Sequence, residues 1–216
     1  ACAASGMSDN NGTDHPAQTG NRHMRKILLA TAAFALAGSA NAAVSITSTA
    51  FDGPLAPGEQ LVVTFDAPNA PGYSISGGAT MIGSVSGVSA APAGDATRYM
   101  YVLGGTSATL TTPLLQSFSM YIGSVDTYNS ITFKGLGGYQ ETISGSQLVA
   151  VANGNQTSAQ TNRRFYFDFG SDRVNEVVFS SSQNSFEFDN IAAGAVPEPA
   201  TWAMLIIGFG FVGLSL

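Results

Sequence analysis

The chain is poor in the residues that most often carry chemistry. Of its 216 residues, one is cysteine and two are histidine. Cys2, His15 and His23 all precede Met24, so none follows it. Beyond that point a disulfide is excluded, as are a Ser-His-Asp triad, a Cys-His dyad and any His- or Cys-ligated zinc or haem site. Charge is scarce too, at 10% of residues, with 14 acids against 8 bases. Past the first few dozen residues the bases are Arg98, Lys134, Arg163, Arg164 and Arg173, which form no stripe. A phosphate backbone needs clustered positive charge, so nucleic acid is not an expected partner.

What is present begins with export. Residues 1–23 are small and polar and show no periodicity. Met24-Arg25-Lys26 opens a basic segment, an apolar run continues to Ala37, and Gly38-Ser39-Ala40-Asn41-Ala42 follows. This order is a secretory signal with a small-x-small cleavage site at Ala40 and Ala42. The run is too short to be a membrane anchor. Residues 24–43 are therefore expected to be a signal peptide, and 1–23 an upstream extension outside the true start at Met24.

The region from 44 to 196 suits one domain with its own core, at roughly 150 residues. Its pattern is β throughout. Leu61-Val62-Val63-Thr64-Phe65 and Arg98-Tyr99-Met100-Tyr101-Val102-Leu103 are short apolar runs closed by turn residues. Phe118, Met120 and Ile122 alternate with polar residues, as do Phe165, Phe167 and Phe169, and then Phe186 and Phe188. Period-two spacing places each phenylalanine set on one face of a strand. Turn residues recur about every 8–12 positions and no amphipathic helix intervenes, which predicts an all-β, antiparallel, jelly-roll-like β-sandwich. Gly145 to Thr161 is expected to be a long exposed loop.

The final stretch has a different character. Val196-Pro197-Glu198-Pro199-Ala200-Thr201-Trp202 leads into an uncharged apolar run with Gly208-Phe209-Gly210. The prolines end any ladder or helix leaving the domain, and the run predicts a C-terminal membrane-seeking helix with Trp202 at the interface. Gly208 to Gly213 matches G-x-G-x-x-G, but no strand–helix–strand unit surrounds it, so these glycines read as membrane packing residues. The tail resembles the PEP-CTERM sorting signal of Gram-negative bacteria, carried by Pro197, Glu198, Pro199, Ala200 and Trp202. The family's basic cluster after the apolar run does not follow Gly213-Leu214-Ser215-Leu216, and residues 197–216 are expected to be a truncated form of the tail.

The resemblance implies passage through the Sec translocon and a transient hold in the inner membrane. It further implies recognition by an exosortase and release to the cell surface or extracellular matrix. A second resemblance runs from Phe118 to Phe133, which is similar to the strand–turn–strand of short PEP-CTERM surface proteins. Phe186-Glu187-Phe188-Asp189-Asn190-Ile191-Ala192 resembles the last strand of the same proteins and of many carbohydrate-binding jelly rolls. Neither implies an enzyme. The expected role is structural or adhesive, in association with exopolysaccharide or biofilm matrix. The alternative is a secreted carbohydrate-active hydrolase or glycan-binding module.

Three groups of residues are candidates for sites. Asp126, Tyr128 and Asn129 suit a ligand-binding edge, the ring stacking on a sugar and the polar groups bonding hydroxyls; the same residues also suit a plain turn. Asp189 and Asn190, with Asp52 or Glu187, offer hard oxygen ligands for a structural Ca²⁺; they equally suit a solvated strand face. Asp168 with Glu187 or Glu176 offers a glycosidase carboxylate pair, although outward carboxylates on strands usually mark only the wet face. No other cofactor is expected and no catalytic residue is assigned.

Overall fold

The computed structural model describes residues 43–195. The signal residues Ala40 and Ala42, the Pro197–Trp202 motif and the expected membrane helix lie outside this range. The chain forms β1 (Ser45–Ala50), β2 (Gln60–Val63), β3 (Ser74–Gly77), β4 (Ala79–Ile82), β5 (Arg98–Val102) and β6 (Thr106–Gly123). It continues with β7 (Asn129–Gly135), β8 (Gln140–Ser144), α1 (Gly145–Leu148), β9 (Arg163–Asp168), β10 (Val174–Ser181) and β11 (Phe186–Ala195). All strand pairs are antiparallel, along the path β4-β5-β11-β6-β10-β7-β8, with β1, β2, β3 and β9 pairing at its sides. No helix among the described residues is long and apolar enough to cross a membrane.

β6 is the spine. Its first half pairs with β3 and β10; its second half pairs with β9 and β11. Pro113 sits between the two halves, just past the β3 register that ends at Thr111. A proline gives no ladder N–H, so it is placed where the strand changes partners on that edge.

The sheet folds over on itself. Phe179 of β10 lies 4.2 Å from Phe188 of β11, and Phe133 of β7 lies 4.8 Å from Phe167 of β9. Neither pair of strands shares a ladder, so these rings meet across a core between two layers. Phe118, Phe165, Phe167, Phe169, Phe186 and Phe188 are all buried, as the alternation predicts.

Two expectations are corrected. Gly145–Thr161 is not simply an exposed loop. It begins with the turn α1, and Leu148, Val149 and Ala152 pack against the core. The opposite face of β11 is not solvated either: Glu187 and Asp189 are 3% and 0% exposed. The segment between β4 and β5 covers them. Its residues Ser89 and Ala90 bond Glu187, and Thr97 reaches Asp189.

Candidate functional site

A polar cleft of about 480 Å³ opens where the turn after β6 meets the segment covering β11. Asp126, Tyr128, Asn153, Gln156, Asn184 and Glu187 line it, and Ser84–Ala90 forms one wall. β6 ends at Gly123, and Ser124 at φ 43° turns the chain back into β7. Asn129 closes this turn. Its Oδ1 accepts the Asp126 N–H at 2.8 Å, and its Nδ2 donates to Ser181 Oγ and the Ser185 carbonyl, each at 3.2 Å. Asn129 is 1% exposed. The structure thus separates the expected trio: Asp126 and Tyr128 face the cleft, whereas Asn129 is a buried turn residue.

Gly154 brings the Asn153 loop against Asp126. It has φ 66°, and a Cβ there would fall 2.5 Å from the Asp126 carboxylate. A glycine is required on both counts. Tyr128 Oη donates to the Asn184 carbonyl at 3.0 Å, which fixes the ring at the rim. Burial raises the Asp126 carboxyl above its ordinary value, with the Tyr128 hydroxyl working against the shift. Burial and the adjacent Asp126 also raise the Tyr128 hydroxyl. Both groups line the cleft and present hydrogen-bonding atoms to it.

Glu187 forms the floor and acts as a peg. Its Oε1 accepts from Ser89 Oγ at 3.3 Å, from Ala90 N–H at 3.1 Å and from Ser185 Oγ. Its Oε2 accepts from Ser124 Oγ at 3.2 Å. Burial raises its pKa, and these donors oppose the rise. Four donors from three segments are thereby tied to one strand.

The expected carboxylate pairs do not form. Asp168 is exposed at the end of β9 and accepts the Gly170 N–H at 2.8 Å. Glu176 is held by Lys134 at 2.7 Å. Of these three carboxylates, Glu187 alone lines the cleft.

The expected calcium set is divided as well. β11 has a register shift between Asp189 and Ala192, and Asn190 sits at φ 49°. This bulge turns Asn190 away from Asp189. Its Nδ2 donates to Asp52 Oδ2 at 2.8 Å, and Asp52 Oδ1 lies 2.5 Å from Arg164. Asp189 faces Thr97 and Asp95 instead. Burial, with the charges of Asp95 and Asp66 added and the Asn190 N–H opposing, raises its pKa to about 8. Among the described residues, no group of three or more His, Cys, Asp or Glu is placed to hold a metal ion.

Asn153, Gln156, Asn184 and the Ser84–Ala90 wall were missed by the sequence reading. Asn153-Gly154-Asn155 signals a turn, but no local pattern says which turn it meets.

Comparison with known proteins adds the tail. The family model of the PEP-CTERM protein-sorting motif matches residues 195–216. The chain carries this motif, which implies an exported protein sorted to the cell surface by an exosortase. No curated protein matches. Among solved structures, the chain is similar to the family 11 carbohydrate-binding module of the cellulosomal cellulase Lic26A-Cel5E of Clostridium thermocellum. That likeness has 14% identity, covers 67% of this chain and 99% of the module, and has a TM-score of 0.21. We draw nothing about ligands from a likeness at that score.

Proposed function

We propose that this is a non-enzymatic, adhesive or structural protein of the extracellular polysaccharide layer, which holds polysaccharide in the cleft at Asp126 and Tyr128. The signal at 24–43 takes it through the Sec translocon. The apolar tail at 197–216 holds it transiently in the inner membrane until an exosortase acts. The exposed domain is a jelly-roll-like sandwich.

The observation that carries the binding role is the lining of the cleft. Two carboxyl groups, a phenol and three amides converge there beside a serine-rich wall. Convergent donors and acceptors beside a ring edge suit the hydroxyls of a sugar chain. The hydrolase alternative has one point in its favour, that Asp126 and Glu187 share the cleft. Glu187 is engaged by four donors, which suits a structural peg better than a general acid.

The test is retention on exopolysaccharide purified from the producing strain. Asp126→Ala and Tyr128→Ala are each expected to weaken retention about tenfold, the worth of one or two lost hydrogen bonds. Retention by the double variant equal to that of the parent would remove the cleft from the account. Release of reducing sugar by the parent chain would favour the hydrolase.

A further inference from the structure

We propose that Asp95 and Asp189 form a site for a hard divalent cation, calcium above all, which clamps the covering segment onto β11. Two oxygens carry the inference. Asp189 Oδ1 and Asp95 Oδ2 are buried and accept no hydrogen bond. Asp189 itself is 0% exposed. Buried polar atoms are nearly always paired, and a buried carboxylate without a partner is costly.

Thr97 does not relieve the pair. Its single hydroxyl proton goes to Asp95 Oδ1 at 2.6 Å, which leaves Asp189 Oδ2 a long contact of 3.4 Å. Among the described residues no arginine or lysine forms a salt bridge with either carboxylate, and the buried guanidinium of Arg164 is committed to Asp52. Asp66 adds a third negative charge nearby, with its Oδ1 held by the Arg98 N–H at 3.0 Å. Three carboxyl groups thus gather without a basic partner at Asp95 or Asp189 among the described residues; burial and these neighbours leave Asp189 sharing a proton with Asp95, and a divalent ion would take that proton's place.

The donor chemistry selects the ion. Only carboxylate and hydroxyl oxygens are available, which suits calcium rather than a softer metal. Two carboxylates suffice, with Thr97 Oγ1 and water completing the shell. Asp95 also lines a hollow of about 690 Å³ shared with Asp52 and Tyr121, which gives an ion an aqueous route. Few charged ligands put the affinity in the range of extracellular calcium modules, about 10⁻⁴–10⁻³ M. A bound ion would join Asp95, in the segment between β4 and β5, to the central strand β11. This set differs from Asp189 with Asn190, since Asn190 is committed to Asp52.

The test is thermal melting and calorimetric titration of the EDTA-treated full-length chain with calcium chloride. About 5 mM calcium is expected to raise Tm by about 3–6 °C. Asp189→Asn and Asp95→Asn should each abolish the shift and the binding heat, while melting cooperatively in EDTA. Asp95 is only partly buried, so its variant keeps the test informative if Asp189→Asn does not fold. Three results would overturn the site: no shift and no heat in the parent chain; a shift retained by both variants; or an equal shift from sodium chloride of matched ionic strength.

Discussion

Phe179→Ala is expected to destabilise the domain by about 3–5 kcal/mol, the range for emptying a buried aromatic site. Phe179 is fully buried and lies on β10. Its ring meets Phe188 at 4.2 Å, Phe186 at 6.2 Å and Phe118 at 6.5 Å. Those partners come from β6 and β11, so the ring joins the two layers. Removing it leaves a cavity walled by other rings, which relax little because each is held by its own strand. Ile82→Ala is the matched control. Ile82 is 59% exposed, so a change within about 0.5 kcal/mol is expected. Urea unfolding of both variants measures the difference. A loss below about 1 kcal/mol for Phe179→Ala would contradict the two-layer core.

The second large effect concerns a buried cation. Arg164→Met is expected to cost about 3 kcal/mol, the lower end for removing one partner of a buried ion pair. Arg164 is 1% exposed and makes contacts with three segments. Nε donates to Asp52 Oδ1 and the Gly53 carbonyl, each at 3.0 Å. Nη1 donates to the Asn190 carbonyl at 2.9 Å and to Ser119 Oγ at 3.2 Å. Methionine keeps much of the volume but none of the donors, so two carbonyls lose their partner and Asp52 loses its countercharge. The Asp52 side chain is 35% exposed and can turn to water, which places the cost at the lower end. Lys134→Met breaks an exposed pair with side chains 43% and 36% exposed, and should cost under about 1 kcal/mol. Equal losses in the two variants, by the same urea assay, would contradict the hub role of Arg164.

The strands that were legible are those with apolar alternation. β9, β11 and the second half of β6 carry phenylalanine or branched residues at period two, and their burial follows directly. β3 and β4, with the sequences Ser-Ile-Ser-Gly and Ala-Thr-Met-Ile, gave no such signal. They are edge pieces, largely exposed, whose pairing is set by β5 and β6 rather than by their own pattern. The first half of β6 was silent for another reason: its buried positions are Ala108, Leu110 and Thr112, and a small and a polar residue there hide the apolar alternation.

The site was legible only in part. Asp126 and Tyr128 stood out because carboxylate and ring sit together in one turn. Asn129 looked like a third member because turn and ligand chemistry use the same amide. Alternation put Glu187 and Asp189 on the face opposite the phenylalanines, and usual sheet behaviour made that face wet. A covering segment reversed this, and coverage is a tertiary fact that period-two spacing does not contain. The bulge at Asn190 also breaks the alternation, which is why Asp189 and Asn190 point to different partners. The tail, by contrast, is read from order and composition alone, and there the sequence and the family model agree.

The most direct test of the account is surface sorting in a host that contains an exosortase. The full chain and a variant with Pro197, Glu198 and Pro199 changed to alanine would be followed by surface labelling and fractionation. The parent chain should reach the cell surface or medium in processed form. The variant should be exported but remain unprocessed in the membrane fraction, with the Phe179 core melting as in the parent. A variant that reaches the surface, processed and in equal amount, would contradict the claim that this tail governs placement.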